Sequence, residues 1–552
     1  MSTNIKLYKK LFSEKKFNEI IEKIEELEKD KSAQVLHILG ICKVLNNGKD
    51  KNIKLSARED FRKAFLKEKN TNLGIEALSN FINLSTDLLK TKDSLKYFDE
   101  VKKDFGDNLQ LLKAISRVYQ FNVRAKDRNK ILKDIVRLSP SSINDWCSYI
   151  YINNFFRDWD QKQYYSYSKE LSNNIKNFNL EKISLDRSIK NRKIKIAFLS
   201  SDIYRGHSVT YFILGLLKNI NRNKFKMFAI SNSKIGDEEN NELKGQFDDW
   251  YNIKQLNDID AIKFVREKNF DIVFDIMGFT SENRITLFKN RIAPIQISWL
   301  GYCNTTGLDE MDYILSDKNL IFQDEENFYS EKVKNFKEIW NVHCGFEIER
   351  KKVELPFLKK EIFTFGSFNN FNKISDSTLE SWSIILSNIK NSRLILKSSV
   401  PYDLENFINR IDKLNILDKV KILDRSPNFI SHLNKYNEID LALDTFPYNG
   451  VTTTFEALWK GIPVLTMDGY NFNSRCGSSI IKNLGIDYLI AKNEKDYVSK
   501  ATYLATDKKK LKEIRDNIFD NVLEKSLFDT NKFAKNFEIL MEEIISEKLL
   551  LK

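Results

Sequence analysis

Cysteine and long apolar stretches are both scarce in this chain of 552 residues. The five cysteines are odd in number and widely spaced, which favours reduced thiols over a disulfide framework or a zinc cluster. We therefore assign no metal. No run reaches the roughly 18 apolar residues that a membrane-spanning helix requires, and VTYFILGLL is among the longest. The sequence predicts no membrane span.

A signal peptide and a concentrated basic segment are also missing. The first residues, MSTNIKLYKKLFSEKKF, lack a continuous apolar core, so we expect a cytoplasmic protein. The net charge is +12, but the 89 Lys and Arg residues are spread along the chain beside 77 acidic ones. This distribution is typical of a solvated surface and argues against nucleic acid as a partner.

What the chain does contain is enough apolar sequence, 42% of all residues, to fill the cores of two or three domains. In residues 1–165 apolar positions such as Phe17, Ile20 and Ile24 recur at helical spacing. Successive helix pairs approach the roughly 34-residue tetratricopeptide (TPR) period, so we predict a TPR-like α-solenoid. Its concave face suits a protein partner; a structural or oligomerising module is the alternative.

A polar segment, residues 166–190, is predicted to connect this region to a different pattern. From Ile194 strands such as KIKIAFLSSD and DIVFDIMG alternate with helices, and past Lys351 a second alternating unit begins. Alternation of this kind predicts parallel sheets with ligands beyond the carboxyl ends of the strands. We place a first lobe at 191–350, a second at 351–528, and a carboxyl-terminal helix at 529–552 that packs across the first lobe.

The stretch LDTFPYNGVTTTFEALWKGIPVLTM from Leu443 to Met467 predicts a strand, a tight turn at Gly450, a helix beginning near Thr452 and a second strand. Hydroxyl groups and free N–H groups at a helix start attract anions. The alternative is that Thr453 and Glu456 form a capping box, which stabilises a helix and implies no ligand.

A lysine stands at the other predicted helix start in the second lobe, in GSFNNFNKI. Lys373 precedes a helix whose N-cap is expected at Ser375 or Asp376. A cation beside the positive end of a helix is well placed to hold a diphosphate. Most lysines of so basic a chain are surface residues, which is the alternative.

In the first lobe, His207 follows one predicted strand and Asp275 ends another. Histidine moves protons near neutral pH, and a carboxylate at a strand end can orient a hydroxyl or a water molecule. A lone histidine is more often structural, and Asp275 can equally cap a turn or join a buried ion pair. A third turn, WLGYCNTTGL, carries Gly301 and Thr305.

These motifs together resemble the SPINDLY-like and O-GlcNAc transferase-like glycosyltransferases, over about residues 193–540. Four stretches carry the likeness: the segment DTFPYNGVTTTFEALWKGIPVLTM, the turn WLGYCNTTGL, the motif GSFNN..KI and the stretch HSVTYF. The family has HSVSYF at the last of these. The chain departs from the animal enzymes at Val451, where they have histidine, at Glu456, where they have aspartate, and at Phe279, where the family usually has histidine.

The resemblance implies a role for each candidate residue. It implies that Lys373, Thr452 and Thr453 contact the donor diphosphate, and that His207 lies in the active site. Nucleotide contacts are implied for Asn370, His432, Glu456 and Arg475, and Gly301 and Thr305 are placed in the wall of the acceptor or sugar pocket. For His432 an exposed helix position is the alternative, and for Arg475 a surface position.

The resemblance implies a GT-B fold, in which two Rossmann-like lobes follow the helical repeats. In this family the helical repeats bind the acceptor protein. The implied reaction is inverting transfer to protein Ser or Thr hydroxyls without metal or other cofactor. UDP-N-acetylglucosamine is the first expected donor, because the broad bacterial family resembles O-GlcNAc transferases. GDP-fucose is the alternative, because the Thr triplet and the GSFNN motif lie closer to the plant SPINDLY proteins, which are fucosyltransferases. A scaffold that binds nucleotide without turnover is a further alternative.

Overall fold

The structure, a computed structural model, describes residues 3–27, 31–233 and 240–550. Internal contacts divide the chain into two compact units. One consists of Met1–Pro140 with Pro401–Arg410, and the other of Ser141–Val400 with Ile411–Lys552. No helix of the described ranges is long and apolar enough to cross a membrane.

The first unit is helical, as predicted. Its helices are α1 (Thr3–Ser13), α2 (Phe17–Leu27), α3 (Ala33–Asn47), α4 (Lys51–Lys67), α5 (Asn72–Asp87), α6 (Lys92–Phe105), α7 (Leu109–Phe121) and α8 (Ala125–Leu138). Consecutive helices pack against each other, α3 on α4 and α4 on α5, because each buries a stripe of apolar side chains. Phe61 and Phe65 of α4 and Phe81 of α5 are fully buried in this way.

The second unit opens with two more helices, α9 (Ile143–Asn153) and α10 (Gln161–Asn174). α10 runs through residue 165, the boundary predicted for the repeat region, and buries Tyr164 and Leu171. Asp160 caps α10 in a reciprocal capping box with Gln163, and the helix continues to Asn174, inside the predicted connector 166–190.

A parallel sheet of seven strands follows in the order β3-β2-β1-β4-β5-β6-β7. The elements of this first lobe are β1 (Ile194–Ser200), α11 (Ser208–Asn219), β2 (Phe225–Ser231), α12 (Asn241–Lys244), β3 (Asp249–Asn252), α13 (Asp258–Glu267), β4 (Ile272–Asp275), α14 (Ile285–Lys289), β5 (Ile295–Ser298), β6 (Tyr313–Asp317) and β7 (Lys332–Phe336). β1 pairs with β2 on one side and β4 on the other.

The second lobe is a parallel sheet of six strands in the order β10-β9-β8-β11-β12-β13. Its elements are α15 (Pro356–Lys360), β8 (Phe363–Ser367), α16 (Asp376–Asn388), β9 (Ser392–Lys397), α17 (Glu405–Asp412), β10 (Val420–Leu423), α18 (Phe429–Lys435), β11 (Leu441–Leu443), α19 (Thr452–Trp459), β12 (Val464–Met467), α20 (Phe472–Leu484), β13 (Ile490–Ala491), α21 (Glu494–Thr506) and α22 (Lys508–Asn521).

The last helix, α23 (Thr530–Leu550), packs on the first lobe, which confirms the predicted return of the chain. The Phe533 ring stacks on Trp299, and the Phe537 ring lies 5.8 Å from that of Phe274. Helical repeats followed by two Rossmann-like lobes therefore confirm the predicted GT-B fold.

Both sheets reverse their strand order once, between β1 and β4 in the first lobe and between β8 and β11 in the second. In open parallel sheets, ligands bind beyond the carboxyl ends of the strands at such a switch point. The loops after these four strands are therefore where a site is expected. His207, Asn370 and Lys373 lie in them, and Asp275, Thr452 and Thr453 lie at their ends.

Candidate functional site

A cavity of about 460 Å³ lies within the second unit and is lined by loops from both lobes. Loops after β1, β4, β5, β8 and β11 contribute to its wall. Six of the predicted site residues line it: His207, Gly301, Asn370, Lys373, Thr452 and Thr453. Segments more than 200 residues apart in sequence thus converge on one space.

Asp444 holds the turn that leads into α19. One carboxylate oxygen accepts hydrogen bonds from the backbone N–H of Thr445 (2.8 Å) and Gly450 (2.7 Å), and the other accepts one from the Thr466 hydroxyl (2.8 Å). Burial raises the pKa of Asp444 to about 6, and these donors oppose the rise. Gly450 is required here because a Cβ would lie 2.4 Å from the Thr453 hydroxyl.

The start of α19 brings Thr452 and Thr453 to the cavity. Val451 is the N-cap residue and makes no side-chain cap hydrogen bond, while the Thr453 hydroxyl donates to the Asn369 side chain (2.9 Å). Glu456 bonds elsewhere, so the capping box proposed as an alternative does not form. Thr452 and Thr453 line the cavity at the positive end of the helix, where the first N–H groups have no intrahelical partner.

Lys373 extends from the loop after β8 toward the same turn. Its ammonium group donates to the carbonyl oxygen of Asn449 (2.9 Å) and lies 4.0 Å from the centre of the Tyr448 ring. Burial lowers the pKa of this amine to about 8, although nearby Asp444 favours the charged form. Ser375 caps α16, as predicted, by accepting from the Thr378 N–H. Lys373 is therefore an inward-facing cation and not a surface lysine.

His432 belongs to a chain of polar contacts beside the cavity. The Lys397 ammonium can only donate, so Nδ1 of His432 accepts (2.9 Å) and the neutral ring carries its proton on Nε2. Nε2 then donates to Glu456 (3.0 Å), which also accepts from the Tyr436 hydroxyl (2.8 Å). The His432 side chain is only 16% exposed, which rules out the exposed alternative. Phe368 connects this chain to the cavity, with its ring 5.8 Å from that of His432.

His207 caps α11 and also lines the cavity. Its Nδ1 accepts from the Val209 N–H (3.3 Å), which places the proton of the neutral ring on Nε2. Nε2 lies 3.8 Å from a carboxylate oxygen of Asp202, another residue of the cavity wall. Burial lowers the pKa of His207, and Asp202 opposes the change. The structural and functional interpretations of this histidine are therefore compatible.

Asp275 is not among the described residues that line the cavity. One carboxylate oxygen accepts from the N–H groups of Met277 (2.9 Å) and Gly278 (3.0 Å), so the side chain shapes the turn after β4. Burial raises its pKa to about 6. Phe279, at the family's histidine position, is buried with its ring 4.8 Å from that of Tyr302. The turn-capping interpretation of Asp275 agrees with this geometry.

Gly301 and Thr305 differ in their placement. Gly301 lines the cavity, and a Cβ at this position would lie 2.1 Å from the carbonyl oxygen of Ile276, so only glycine fits between the two turns. Thr305 is fully buried, and its hydroxyl donates to Glu331 (2.7 Å). Gly301 therefore shapes the site directly, whereas Thr305 stabilises the loop behind it.

Arg475 is also away from the cavity. Its guanidinium donates to both carboxylate oxygens of Glu325 (2.5 and 2.8 Å) and to the carbonyl oxygen of Leu320 (3.0 Å), and it lies 3.9 Å from the centre of the Phe322 ring. Arg475 belongs to α20 of the second lobe, whereas Glu325, Leu320 and Phe322 lie in the first. The structure shows it as a buried connection between the lobes.

Several cavity residues were not predicted from the sequence. Asp202 stands two residues after the end of β1, so its position near a strand end could have identified it. Tyr448 lies inside the stretch from Leu443 to Met467, but nothing in the sequence indicated that its ring would face Lys373. Trp340 and Asn341 also line the cavity, and they occur in an irregular segment with no periodic signal.

Comparison with known proteins agrees with this architecture. The model of the family described as glycosyl transferase family 41 matches residues 173–345 and 347–537. A Solanum lycopersicum protein, named as a probable UDP-N-acetylglucosamine–peptide N-acetylglucosaminyltransferase SPINDLY, is 30% identical over 421 residues, which cover 73% of this chain and 44% of the relative. A Caenorhabditis elegans UDP-N-acetylglucosamine–peptide N-acetylglucosaminyltransferase is 23% identical, covering 66% of this chain and 42% of that protein.

Among solved structures, a mutant of the Thermobaculum terrenum O-GlcNAc transferase matches with a TM-score of 0.81 and 20% identity. The match covers 94% of this chain and 99% of that one, and it shows the fold. The chain spans less than half the length of these two curated relatives.

Proposed function

The chain belongs to glycosyl transferase family 41, and from this premise we propose that it transfers a sugar from a nucleoside diphosphate to Ser or Thr hydroxyl groups of a protein, with inversion. One observation carries the proposal: Lys373 from the loop after β8 and Thr452 and Thr453 at the start of α19 line the same cavity. A cation, two hydroxyl groups and a helix N-terminus form a site for a diphosphate.

The leaving diphosphate is the group that these residues would stabilise. Negative charge builds on it as the bond from the anomeric carbon to the phosphate oxygen breaks, and fixed donors aimed at that charge lower the barrier. Lys373, Thr452 and Thr453 supply such donors, so we propose transfer without a metal ion or other cofactor. Full activity in the presence of EDTA is the expected result, and loss of activity that Mg²⁺ or Mn²⁺ restores would contradict this part of the proposal.

We propose that residues of the first lobe act on the acceptor hydroxyl group. As the acceptor oxygen bonds to the anomeric carbon, its proton must leave, and Asp202 and His207 are the titratable pair of the first lobe in the cavity wall. We propose that the Asp202 carboxylate receives the proton and that His207 positions it, because Nδ1 of His207 already accepts from the Val209 N–H and Nε2 already carries a proton. The orientation of His207, with its proton on Nε2 and Asp202 at 3.8 Å, suits a pair that acts together.

The nucleoside would extend toward Phe368 and Asn370, which line the cavity near His432 and Glu456. The two hydrogen bonds of the Glu456 carboxylate fall on one oxygen, Oε2, so its position suits a ribose hydroxyl at Oε1. UDP-N-acetylglucosamine is the proposed donor, in line with the names of the relatives. GDP-fucose is the alternative.

The acceptor would be a protein, and the TPR-like helices of the first unit are proposed to bind it. The proposed location is the cytoplasm, on the sequence argument alone. Identification of modified proteins in cells with and without this chain, by mass spectrometry, would test both the acceptor class and the sugar.

Purified protein incubated with UDP-N-acetylglucosamine or GDP-fucose and a lysate of modifiable proteins tests the function directly. Transfer of labelled sugar to protein with release of the matching diphosphate is the expected result, and it should disappear in Lys373→Ala. Transfer from GDP-fucose alone would replace the proposed donor. Binding of nucleotide with no transfer from either donor would instead support the scaffold.

A further inference from the structure

Trp340 and Asn341 bring unused hydrogen-bonding groups to the cavity. Both residues line it, and they are 0% and 1% exposed. Within the described part of the chain, the indole N–H of Trp340 and both polar atoms of the Asn341 amide have no hydrogen-bond partner. Two donor groups and one acceptor thus stand together, buried and unsatisfied, at a cavity.

Such groups are costly in a folded protein. A buried donor or acceptor without a partner destabilises the fold, and native structures contain few of them. Three in two consecutive residues need a physical explanation. Because these residues line a cavity large enough for a ligand, a bound molecule can supply the missing partners.

Trp340 is held in place by its backbone and its ring. Its backbone N–H donates to Asp317 (3.1 Å), and its carbonyl oxygen accepts from the indole N–H of Trp299 (2.8 Å). Asp317 in turn accepts from the Ser479 hydroxyl of the second lobe (2.7 Å). The Trp340 ring lies 6.3 Å from that of Phe472. Trp340, which Asn341 directly follows, is therefore preorganised for a partner of defined shape.

The chemistry of the pair differs from that of the rest of the site. Lys373 and the start of α19 favour a negative charge, whereas an indole N–H and a carboxamide are neutral and offer both donation and acceptance. Sugar hydroxyl and amide groups have the same mixed character. Leu300 and Val451 of the same wall are apolar and suit the C–H face of a sugar ring.

We propose that Trp340 and Asn341 bind the polar groups of the sugar being transferred and so help to determine which sugar is accepted. This inference rests on the proposed function, since it assumes that the cavity holds a nucleotide sugar. It predicts that the two residues distinguish the sugar nucleotide from the free nucleoside diphosphate, which lacks the sugar.

Binding measurements separate these contributions. Calorimetric titration of the full chain with UDP, GDP, UDP-N-acetylglucosamine and GDP-fucose is repeated for Trp340→Phe, which removes the N–H group, and for Asn341→Ala. Each variant is expected to bind the preferred sugar nucleotide about 10- to 100-fold more weakly, the loss of one or two buried hydrogen bonds. Its affinity for the matching free diphosphate should stay within about twofold. Lys373→Ala is the matched comparison, because it should weaken both ligands together.

Equal loss of both ligands in Trp340→Phe, or no loss of either, would overturn the inference. Unchanged donor affinity with a raised KM for the acceptor protein would assign the pair to the acceptor and also overturn it. Absence of any nucleotide binding by the unaltered chain would be a failure of the proposed function instead. If Asn341→Ala does not fold, as its thermal melting would show, Trp340→Phe alone decides the question.

Discussion

The ammonium group of Lys373 lies 4.0 Å from the centre of the Tyr448 ring. A carbonyl oxygen, that of Asn449, accepts its hydrogen bond at 2.9 Å. Both contacts fix the amine without neutralising it, because an aromatic face and a carbonyl carry only partial charge. The residue therefore combines a fixed position with a charge available to an incoming anion.

We expect Lys373→Ala to bind UDP and GDP about 10- to 150-fold more weakly, since a buried charge-assisted hydrogen bond contributes roughly 1.5–3 kcal/mol. Lys373→Arg should recover part of the affinity. The exposed Lys318 is the control, and Lys318→Ala should bind like the unaltered chain. Calorimetric titration measures all three. Equal affinity in Lys373→Ala and the unaltered chain would exclude Lys373 from the diphosphate site.

Affinity for the donor should depend on pH through the same amine. Burial lowers the pKa of Lys373 to about 8, so the free protein loses this charge as the pH rises through 8. A bound diphosphate stabilises the charged form and raises that pKa. The dissociation constant should therefore be flat below pH 8 and rise about tenfold per pH unit above it, until the pKa of the complex is reached. In Lys373→Arg the curve should be flat, and an unchanged rise there would assign the effect to another group.

His207→Ala and Asp202→Asn should lower kcat for sugar transfer by about 100-fold or more, the range typical of a removed proton acceptor. Donor affinity should change by less than about threefold, because the diphosphate is held from the second lobe. Single-turnover kinetics and calorimetry separate the two effects. Parallel loss of binding and turnover would show that these residues hold the donor.

Arg475→Met should destabilise the chain by about 2–3 kcal/mol, because it removes the cation from the Glu325 carboxylate, whose side chain is only 16% exposed. The double variant Arg475→Met with Glu325→Leu should recover much of that loss. Arg205→Met, which removes an exposed arginine paired with Glu242, is the control and should have little effect. Denaturant unfolding measures each. If Arg475→Met leaves stability unchanged and weakens nucleotide binding, Arg475 contacts the nucleotide, as the resemblance implies.

Asp275→Asn should retain transfer within about threefold, because the asparagine oxygen can accept the same two backbone hydrogen bonds that Met277 and Gly278 donate. Asp275→Ala should fold less stably, since those N–H groups would lose their acceptor. Thermal melting and initial rates test the pair. A loss of turnover of 100-fold or more in Asp275→Asn, with normal stability, would show that its charge is needed in the reaction.

The fold could be predicted because its signals are local and repeated. Apolar periodicity marked the helices, and strands alternating with helices marked both sheets, so even the N-cap at Ser375 was among the two positions expected. Lys373, Thr452 and Thr453 could be predicted because they stand at helix starts after strands, where parallel sheets collect ligands.

Side-chain partners were harder to predict, because they depend on contacts between distant segments. Arg475 stands in a motif of the second lobe, yet its partner Glu325 lies 150 positions earlier in the sequence. Thr305 and Glu331 form a similar buried pair. Nothing local in WNVHCGF indicated that Trp340 and Asn341 would reach the cavity. A motif identifies the loop, and only the packing shows which of its side chains face the ligand.

A crystal structure of the chain with UDP or GDP bound tests the central claim most directly. The account predicts diphosphate oxygens within hydrogen-bond distance, about 3 Å, of the Lys373 ammonium group and the Thr452 and Thr453 hydroxyl or N–H groups. A diphosphate bound elsewhere, with Lys373 still on Asn449 and both threonines without contact to it, would contradict the account.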